Sequence, residues 1–219
     1  MASARAVREG HKINPDFKIG CMICHITMYP LTCSPDDILE YQNLDNFFNN
    51  FCGDVQVKGE YPYYIQDYFR KHHISLRITE EEKEILKQGT VDFYSFSYYM
   101  SNCVAKRMEG VELTMGNLMG GAKNPYLEAS EWGWQIESQG LRRHVEEMEK
   151  AVDAGVDLIG YTMWGPIDLI SAGTGEIRKR YGFIYIDKNS DGTGSLQRIR
   201  KDSFYWYRDV IASNGTKLS

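Results

Sequence analysis

Few folds accommodate the mostly apolar run Val156-Asp157-Leu158-Ile159-Gly160-Tyr161-Thr162-Met163-Trp164. It is too short to cross a membrane and reads as a buried strand of a parallel sheet. Beyond Trp164 comes a loop of hydroxyls, glycines and basic residues: Ser171, Gly173, Thr174, Gly175, Arg178, Lys179, Arg180 and Tyr181. An aromatic face suits the C–H surface of a sugar ring, and hydroxyls or charges suit its edges. Ser, Lys and Tyr just past an aromatic also suit a bound phosphate, which wants donors and positive charge and no facing carboxylate. The same residues equally describe an ordinary strand followed by a basic solvated loop.

The rest of the chain alternates helices with short apolar strands. Ala2 to Lys12 keeps helical spacing without a cap at Ala2, as in a helix already under way. After the turn Asn14-Pro15-Asp16, Lys18 to Cys24 reads as a short buried strand. Cys21 and Cys24 make a C-x-x-C, but residues three apart on a strand point to opposite faces, and no second pair is available for zinc. Ser34-Pro35-Asp36-Asp37 is a helix start, with an N-cap, Pro at N1 and acids in the first turn, and that helix is expected to run to about Phe51. A second helix begins near Tyr61-Pro62, with Tyr64, Ile65, Tyr68 and Phe69 packing and His72-His73 at its favourable C-terminus. Thr79 to Glu82 is a capping box for a third, ending near Gln88-Gly89.

Val91 to Tyr99 is the next buried strand, and a long Met- and Gly-rich loop runs from Ser101 to Ser130. Past the basic loop, Tyr181 to Asp187 alternates as a strand, Asn189 to Gly194 is a turn, and Arg198 to Ser213 is mostly helical, stopped by Asn214-Gly215. Phe204 and Tyr207 share a face suited to packing. With 219 residues, a net charge of −5 and a pI near 5.6, the chain fits one soluble domain and lacks the basic face of a nucleic-acid binder. No apolar run spans a membrane, the first residues have no signal-peptide core, and the odd count of five cysteines suits a reducing, cytoplasmic location.

The wording around Trp164 resembles glycoside hydrolase family 1, and within it the 6-phospho-β-glucosidase branch. Members acting on unphosphorylated sugars carry W-S-x-x-D-N-F-E-W here, where the Glu holds sugar hydroxyls. In this chain Ser171 stands at that position, seven after Trp164. A carboxylate there would repel a 6-phosphate, while Ser donates to it. The resemblance implies that Lys179 and Tyr181, in K-R-Y, complete the phosphate site. It extends to F-S-Y-Y in the strand ending at Tyr99, and from Asn124-Pro125-Tyr126 through Trp134-Gln135-Ile136 to Gly140-Leu141-Arg142. By it, Tyr99 would hydrogen-bond the catalytic nucleophile, and Trp134 would stack the leaving-group sugar. The implied fold is α/β, a (β/α)₈ TIM barrel of which strands 5, 6 and 8 are identifiable, in a single partial domain over 1–219. No cofactor or metal is implied.

A retaining glycosidase needs two carboxylates about 5 to 5.5 Å apart, one to protonate the leaving oxygen and one to attack the anomeric carbon. The family's acid/base Glu follows an Asn at the end of strand 4, and this chain starts after that point. Its nucleophile lies in an E-N-G motif ending strand 7, and no E-N-G occurs here. Arg142 runs straight into Arg143, where the family would place a helix, strand 7 and an excursion. Glu128, Glu131, Glu137 and Glu176 match no catalytic position and read as solvated or structural.

Catalytic residues are therefore expected to be absent, and Trp134, Trp164, Ser171, Lys179 and Tyr181 to bind substrate. The family activity is hydrolysis of the O-glycosidic bond of 6-phospho-β-glucosides, and the chain alone is expected to be inactive. Two alternatives are a non-catalytic 6-phosphosugar-binding protein and a fragment that complements an N-terminal half. Open edges at the strand 4 and strand 7 positions favour complementation or self-association.

Overall fold

A computed structural model describes residues 1–114, 121–130 and 133–218. They form two compact units, Met1–Glu137 and Ser138–Ser219.

In the first unit, α1 (Ala2–Ile13) has no side-chain cap, as its sequence implies. It leads into β1 (Gly20–Pro30), longer than the expected strand because its pairing continues past Cys24. β1 pairs in parallel with β2 (Phe93–Val104), from Gly20 opposite Phe93 to Pro30 opposite Val104. Cys21 is buried and Cys24 exposed, as opposite faces require. A register slip between His25 and Thr27 leaves Ile26 facing both Tyr99 and Met100, the two-against-one count of a β-bulge. Asp92 fixes the junction of α1, β1 and β2: its Oδ2 accepts from the Ile19 N–H and lies 2.8 Å from His11 Nε2. The Ile19 bond first, and His11 second, hold this carboxyl below its ordinary range.

The crossover between β1 and β2 is helical. α2 (Pro35–Asp45) starts as expected, with the Ser34 side chain accepting from the Asp36 N–H. The helix does not end near Phe51. A π-turn (Asn46–Asn50) carries it into α3 (Phe51–Lys58), which Gly59 closes at φ 70°. The extra residue of that turn brings Asn49 to β1. Its amide donates to Ile26 O (2.8 Å) and to Asp45 Oδ1 (2.6 Å), while its Oδ1 accepts from Ile26 N (2.9 Å). One 99% buried side chain thus satisfies both main-chain groups of the residue opposite the bulge.

α4 (Tyr63–Lys71) buries Ile65, and Phe47, Phe51, Tyr61, Tyr68 and Phe69 form a ring cluster with centroids 4.7–6.5 Å apart. α5 (Glu80–Gln88) has both bonds of the Thr79–Glu82 capping box, the kind of cap whose removal costs about 1 kcal/mol. Its Ile85 and Leu86 pack with Ala4 under Met1, Val55 and Tyr61. The long loop folds back on itself: Thr114 N donates to Gly121 O, and Ala122 N to Cys103 O. Its Met- and Gly-rich stretch at 115–120 lies outside the described residues.

The second unit opens with α6 (Ser138–Asp153), whose backbone runs unbroken across the Arg142–Arg143 join. The expected buried strand over Val156–Trp164 does not form: it has no ladder, and Val156, Leu158, Ile159, Tyr161 and Trp164 are 42–77% exposed. A strand is made by hydrogen bonds to a neighbouring strand, and among the described residues none pairs with this run. The strand expected over Tyr181–Asp187 shortens to β3 (Ile184–Ile186), antiparallel to β4 (Arg198–Arg200). Those last residues were expected in the helix, which instead starts later as α7 (Asp202–Ala212). Between the strands, Asp187 Oδ2 accepts from the Ser195 N–H and hydroxyl, and Asp191 Oδ1 from those of Thr193, closing the turn. Tyr207 stacks on Phe183, centroids 4.9 Å apart, while Phe204 lies under the Arg200 guanidinium. No helix among the described residues is long and apolar enough to cross a membrane.

Candidate phosphosugar site

In the second unit the basic loop leaves and returns through one narrow point. Pro166 O accepts from Ile184 N, and Asp168 N donates to Ile184 O, so the outgoing chain runs along β3. The returning chain crosses it at Gly182, where a Cβ would stand 2.2 Å from Ile167 C and 2.4 Å from Asp168 N. Only glycine permits that approach. The Gly182 N–H donates to Asp168 Oδ1 (3.0 Å), which also accepts from Lys201 Nζ (2.6 Å). The Asp168 side chain has no exposed surface, and its other oxygen lies 3.8 Å from Arg180 Nη1. A buried carboxylate persists only with such compensation.

Inside this neck the loop is tightly turned. Ser171 is buried, its N–H donating to Glu176 O and its carbonyl accepting from Gly175 N, both at 2.8 Å. The Tyr181 hydroxyl donates to Ser171 Oγ at 3.2 Å. Two expected phosphate-site residues, ten apart in sequence, are therefore in contact. Lys179 is half-buried on the same loop. Glu176, on the same loop, accepts from Arg178 Nε at 2.9 Å. That bond, helped by the charges of Arg178 and Lys179, holds its carboxyl below the ordinary range. A hydroxyl pair with a lysine on the same loop, and the loop's Glu176 engaged elsewhere, can donate to an anion's oxygens. Trp164, on the unpaired run, is 62% exposed.

Tyr99 and Trp134 belong to the other unit. Tyr99 is exposed on β2 at the bulge opposite Ile26. Trp134 closes a turn with Ser130, whose N–H donates to Trp134 O while its Oγ accepts from Trp134 N. Its indole Nε1 is buried with no hydrogen-bond partner among the described residues. Buried Gln135 holds the preceding turn through Asn124 and Leu127.

Of the remaining carboxylates, Glu137 accepts from the Tyr29 hydroxyl (2.6 Å) and the Tyr98 hydroxyl (3.1 Å), an arrangement that ties the end of this unit to both strands. Glu128 is exposed, and Glu131 lies outside the described residues. No cluster of three or more His, Cys, Asp or Glu suited to a metal occurs among the described residues. Sequence reasoning missed Asp168, Gly182 and Lys201, and named Arg180 only as one of the loop's basic residues. The available signal was an acid flanked by Ile167 and Leu169, since a charge in an apolar run needs a partner.

The family model of glycosyl hydrolase family 1 matches residues 1–149 and 141–216. The chain belongs to glycoside hydrolase family 1. Within the family it is 42% identical over 265 residues to a 6-phospho-β-glucosidase of Clostridium longisporum, covering all of this chain and 56% of that protein. It is 42% identical to the aryl-phospho-β-D-glucosidase BglH of Bacillus subtilis and 44% to a 6-phospho-β-glucosidase of Dickeya chrysanthemi, over 55% and 56% of their lengths. It thus spans little more than half of these family members. The match extends over 265 aligned positions against 219 residues here, so 265 − 219 = 46 positions have no counterpart in this chain. Among solved structures, a family 1 β-glucosidase of Thermotoga maritima matches at TM-score 0.69 and 22% identity, over 99% of this chain and 55% of that one. A family 1 β-glucosidase of Exiguobacterium antarcticum matches at 0.67 and 20%, over 100% and 56%. These family members are TIM barrels, and the likeness extends to the α/β fold.

Proposed function

We propose that this chain is a partial TIM barrel of the 6-phospho-β-glucosidase branch that keeps recognition of the phosphosugar and lacks the two carboxylates that cleave it. The family reaction is retaining hydrolysis of the O-glycosidic bond of 6-phospho-β-glucosides. β1 and β2 stand for strands 5 and 6, the unpaired run Val156–Trp164 for strand 8, and both units belong to one partial domain. Ser171, Lys179 and Tyr181 receive the 6-phosphate, Trp164 faces the sugar ring, and Trp134 stacks the leaving group. Tyr99 is left without its nucleophile. No cofactor takes part, and the compartment is the cytoplasm, where phosphorylated sugars are handled.

The observation that carries this reading is the Tyr181-to-Ser171 hydrogen bond at 3.2 Å, on a loop whose own carboxylate is engaged by Arg178. Replacing a sugar-binding Glu by Ser removes a repulsive charge and supplies a donor, so the loop suits a phosphate better than a hydroxyl.

Isothermal titration with glucose 6-phosphate tests recognition. The wild-type chain is expected to bind, and Lys179→Ala to lose on the order of 1.5 to 3 kcal/mol, the worth of a charge-assisted contact. Equal, negligible heats from both proteins would sink it. Hydrolysis of a chromogenic 6-phospho-β-glucoside tests the other half, and turnover well above background by pure protein would refute the absence of chemistry. A second reading is complementation by an N-terminal fragment carrying the remaining strands, favoured by the unpaired apolar run Val156–Trp164. Co-expression that yields no complex would count against it.

A further inference from the structure

We propose that Lys201, Arg180 and Asp168 are positioning residues for the phosphate site, a buried charge clamp that sets the spacing of Ser171, Lys179 and Tyr181 without touching the ligand. The inference rests on the reading of those three residues as the phosphate set.

Asp168 stands at the outgoing end of the loop and Gly182 at the returning end, and one carboxylate oxygen, Oδ1, joins them. Lys201, at the N-cap of α7, reaches the same oxygen at 2.6 Å and also donates to the Arg180 carbonyl at 2.8 Å. That carbonyl belongs to the peptide between Arg180 and Tyr181, so a single ammonium fixes the main chain between the two ligand residues Lys179 and Tyr181. Arg180 itself sits at φ 53°, in the left-handed region. Such a conformation persists in a non-glycine residue when its surroundings over-determine it. Here its guanidinium donates to the carbonyls of Ile186 (2.6 Å) and Lys188 (2.9 Å) and lies 4.4 Å over the Tyr185 ring.

The charges point the same way. Asp168, fully buried, is opposed by two cations at 2.6 and 3.8 Å, which leaves the cluster with one net positive charge behind the loop. The carboxylate is thereby prevented from repelling an anion held by Ser171 and Tyr181. The lysine is committed to two protein acceptors and is three-quarters buried, which marks it as a support of the site.

The test titrates glucose 6-phosphate, with glucose as the phosphate-free control, into the full chain and into Lys201→Met, Lys201→Arg and Arg180→Gly. Circular dichroism of each variant checks the fold. Lys201→Met should weaken glucose 6-phosphate at least tenfold. Lys201→Arg, which keeps the charge and two donors, should recover most of that loss, a rescue that lost packing alone would not produce. Arg180→Gly keeps the left-handed turn and removes the guanidinium bonds, and should weaken binding several-fold with an unchanged spectrum. That variant decides the matter if Lys201→Met does not fold. Wild-type binding with Lys201→Met or a folded Arg180→Gly within twofold of it overturns the clamp and leaves the phosphate site standing. A silent wild type overturns the phosphate reading, and the clamp with it.

Discussion

Asn49→Ala should be among the most damaging single substitutions in the first unit. The Asn49 side chain makes three hydrogen bonds, two of them to the main-chain N–H and carbonyl of Ile26, and the residue is 1% exposed. Truncation leaves two buried main-chain groups unsatisfied, at about 1–3 kcal/mol each, and a cavity where the amide stood. A loss of about 2–5 kcal/mol is a large share of the stability of a typical domain. With a urea dependence of about 2 kcal/mol per M, the midpoint should fall by about 1–2.5 M. Urea unfolding followed by hydrogen exchange in β1 reads the effect where it arises. Asn49→Asp is the sharper control. It keeps an acceptor for the Ile26 N–H, but loses the donor to the carbonyl and sets a second carboxylate against Asp45. It should therefore be nearly as damaging at neutral pH and partly recover in acid. An Asn49→Ala midpoint within about 0.3 M of wild type would refute the reasoning. The bulge would then be held by strand pairing alone.

Gly182→Ala places a Cβ 2.2 Å from main-chain Ile167, so the loop neck must open. Protection of the Gly182 amide in hydrogen exchange should be lost, and unchanged protection would show that the crossing has slack. Burial holds the His25 imidazole below its ordinary value, so the folded chain binds that proton less readily than the unfolded one. The stability tied to neutral His25 is whole above the unfolded value of about 6.5 and is lost as pH falls through the folded value. The first unit should weaken as pH falls below about 6.5, and His25→Asn should flatten that slope. An unaltered slope in the variant would assign the loss elsewhere.

The features legible in the sequence are those decided by neighbours along the chain. Ser34 caps through Asp36, and Thr79 through Glu82, so residue identity at a spacing of two or three suffices. β1 and β2 were legible because both carry apolar runs, although their bulge was not. The slip depends on Asn49, which is 23 residues from Ile26 and is delivered by a π-turn with no spacing signature. The Asp168–Lys201 pair, 33 residues apart, escaped for the same reason. Arg198-Ile199-Arg200 reads equally well as a helix start, and only the pairing with β3 makes it a strand. Val156–Trp164 is the converse case. Its composition suits burial, yet burial and pairing are supplied by other strands, and composition cannot state whether those are present.

The loop proposed to take the phosphate and the chemistry of a family 1 site make different demands on a chain. The bonds that shape the loop, from Pro166 and Asp168 through Ser171 and Tyr181 to Lys201, all begin and end between residues 166 and 201. Their formation needs one short hairpin and the start of one helix. Cleavage needs two carboxylates held about 5 to 5.5 Å apart by the ends of different strands, a geometry that depends on a closed sheet. On the proposed reading, a barrel short of strands would lose the catalytic geometry before it lost the shape of this loop. The cost falls on the sheet itself. Leu158, Ile159 and Trp164 stand 44–77% exposed, and burying a side chain of this kind is worth about 1.5–3 kcal/mol. A polypeptide that paired with this run would recover much of that. Complementation, if a partner fragment supplies that pairing, should stabilise the second unit far more than it alters the hydrogen bonds of the 166–201 loop, which thermal unfolding and hydrogen exchange would read separately.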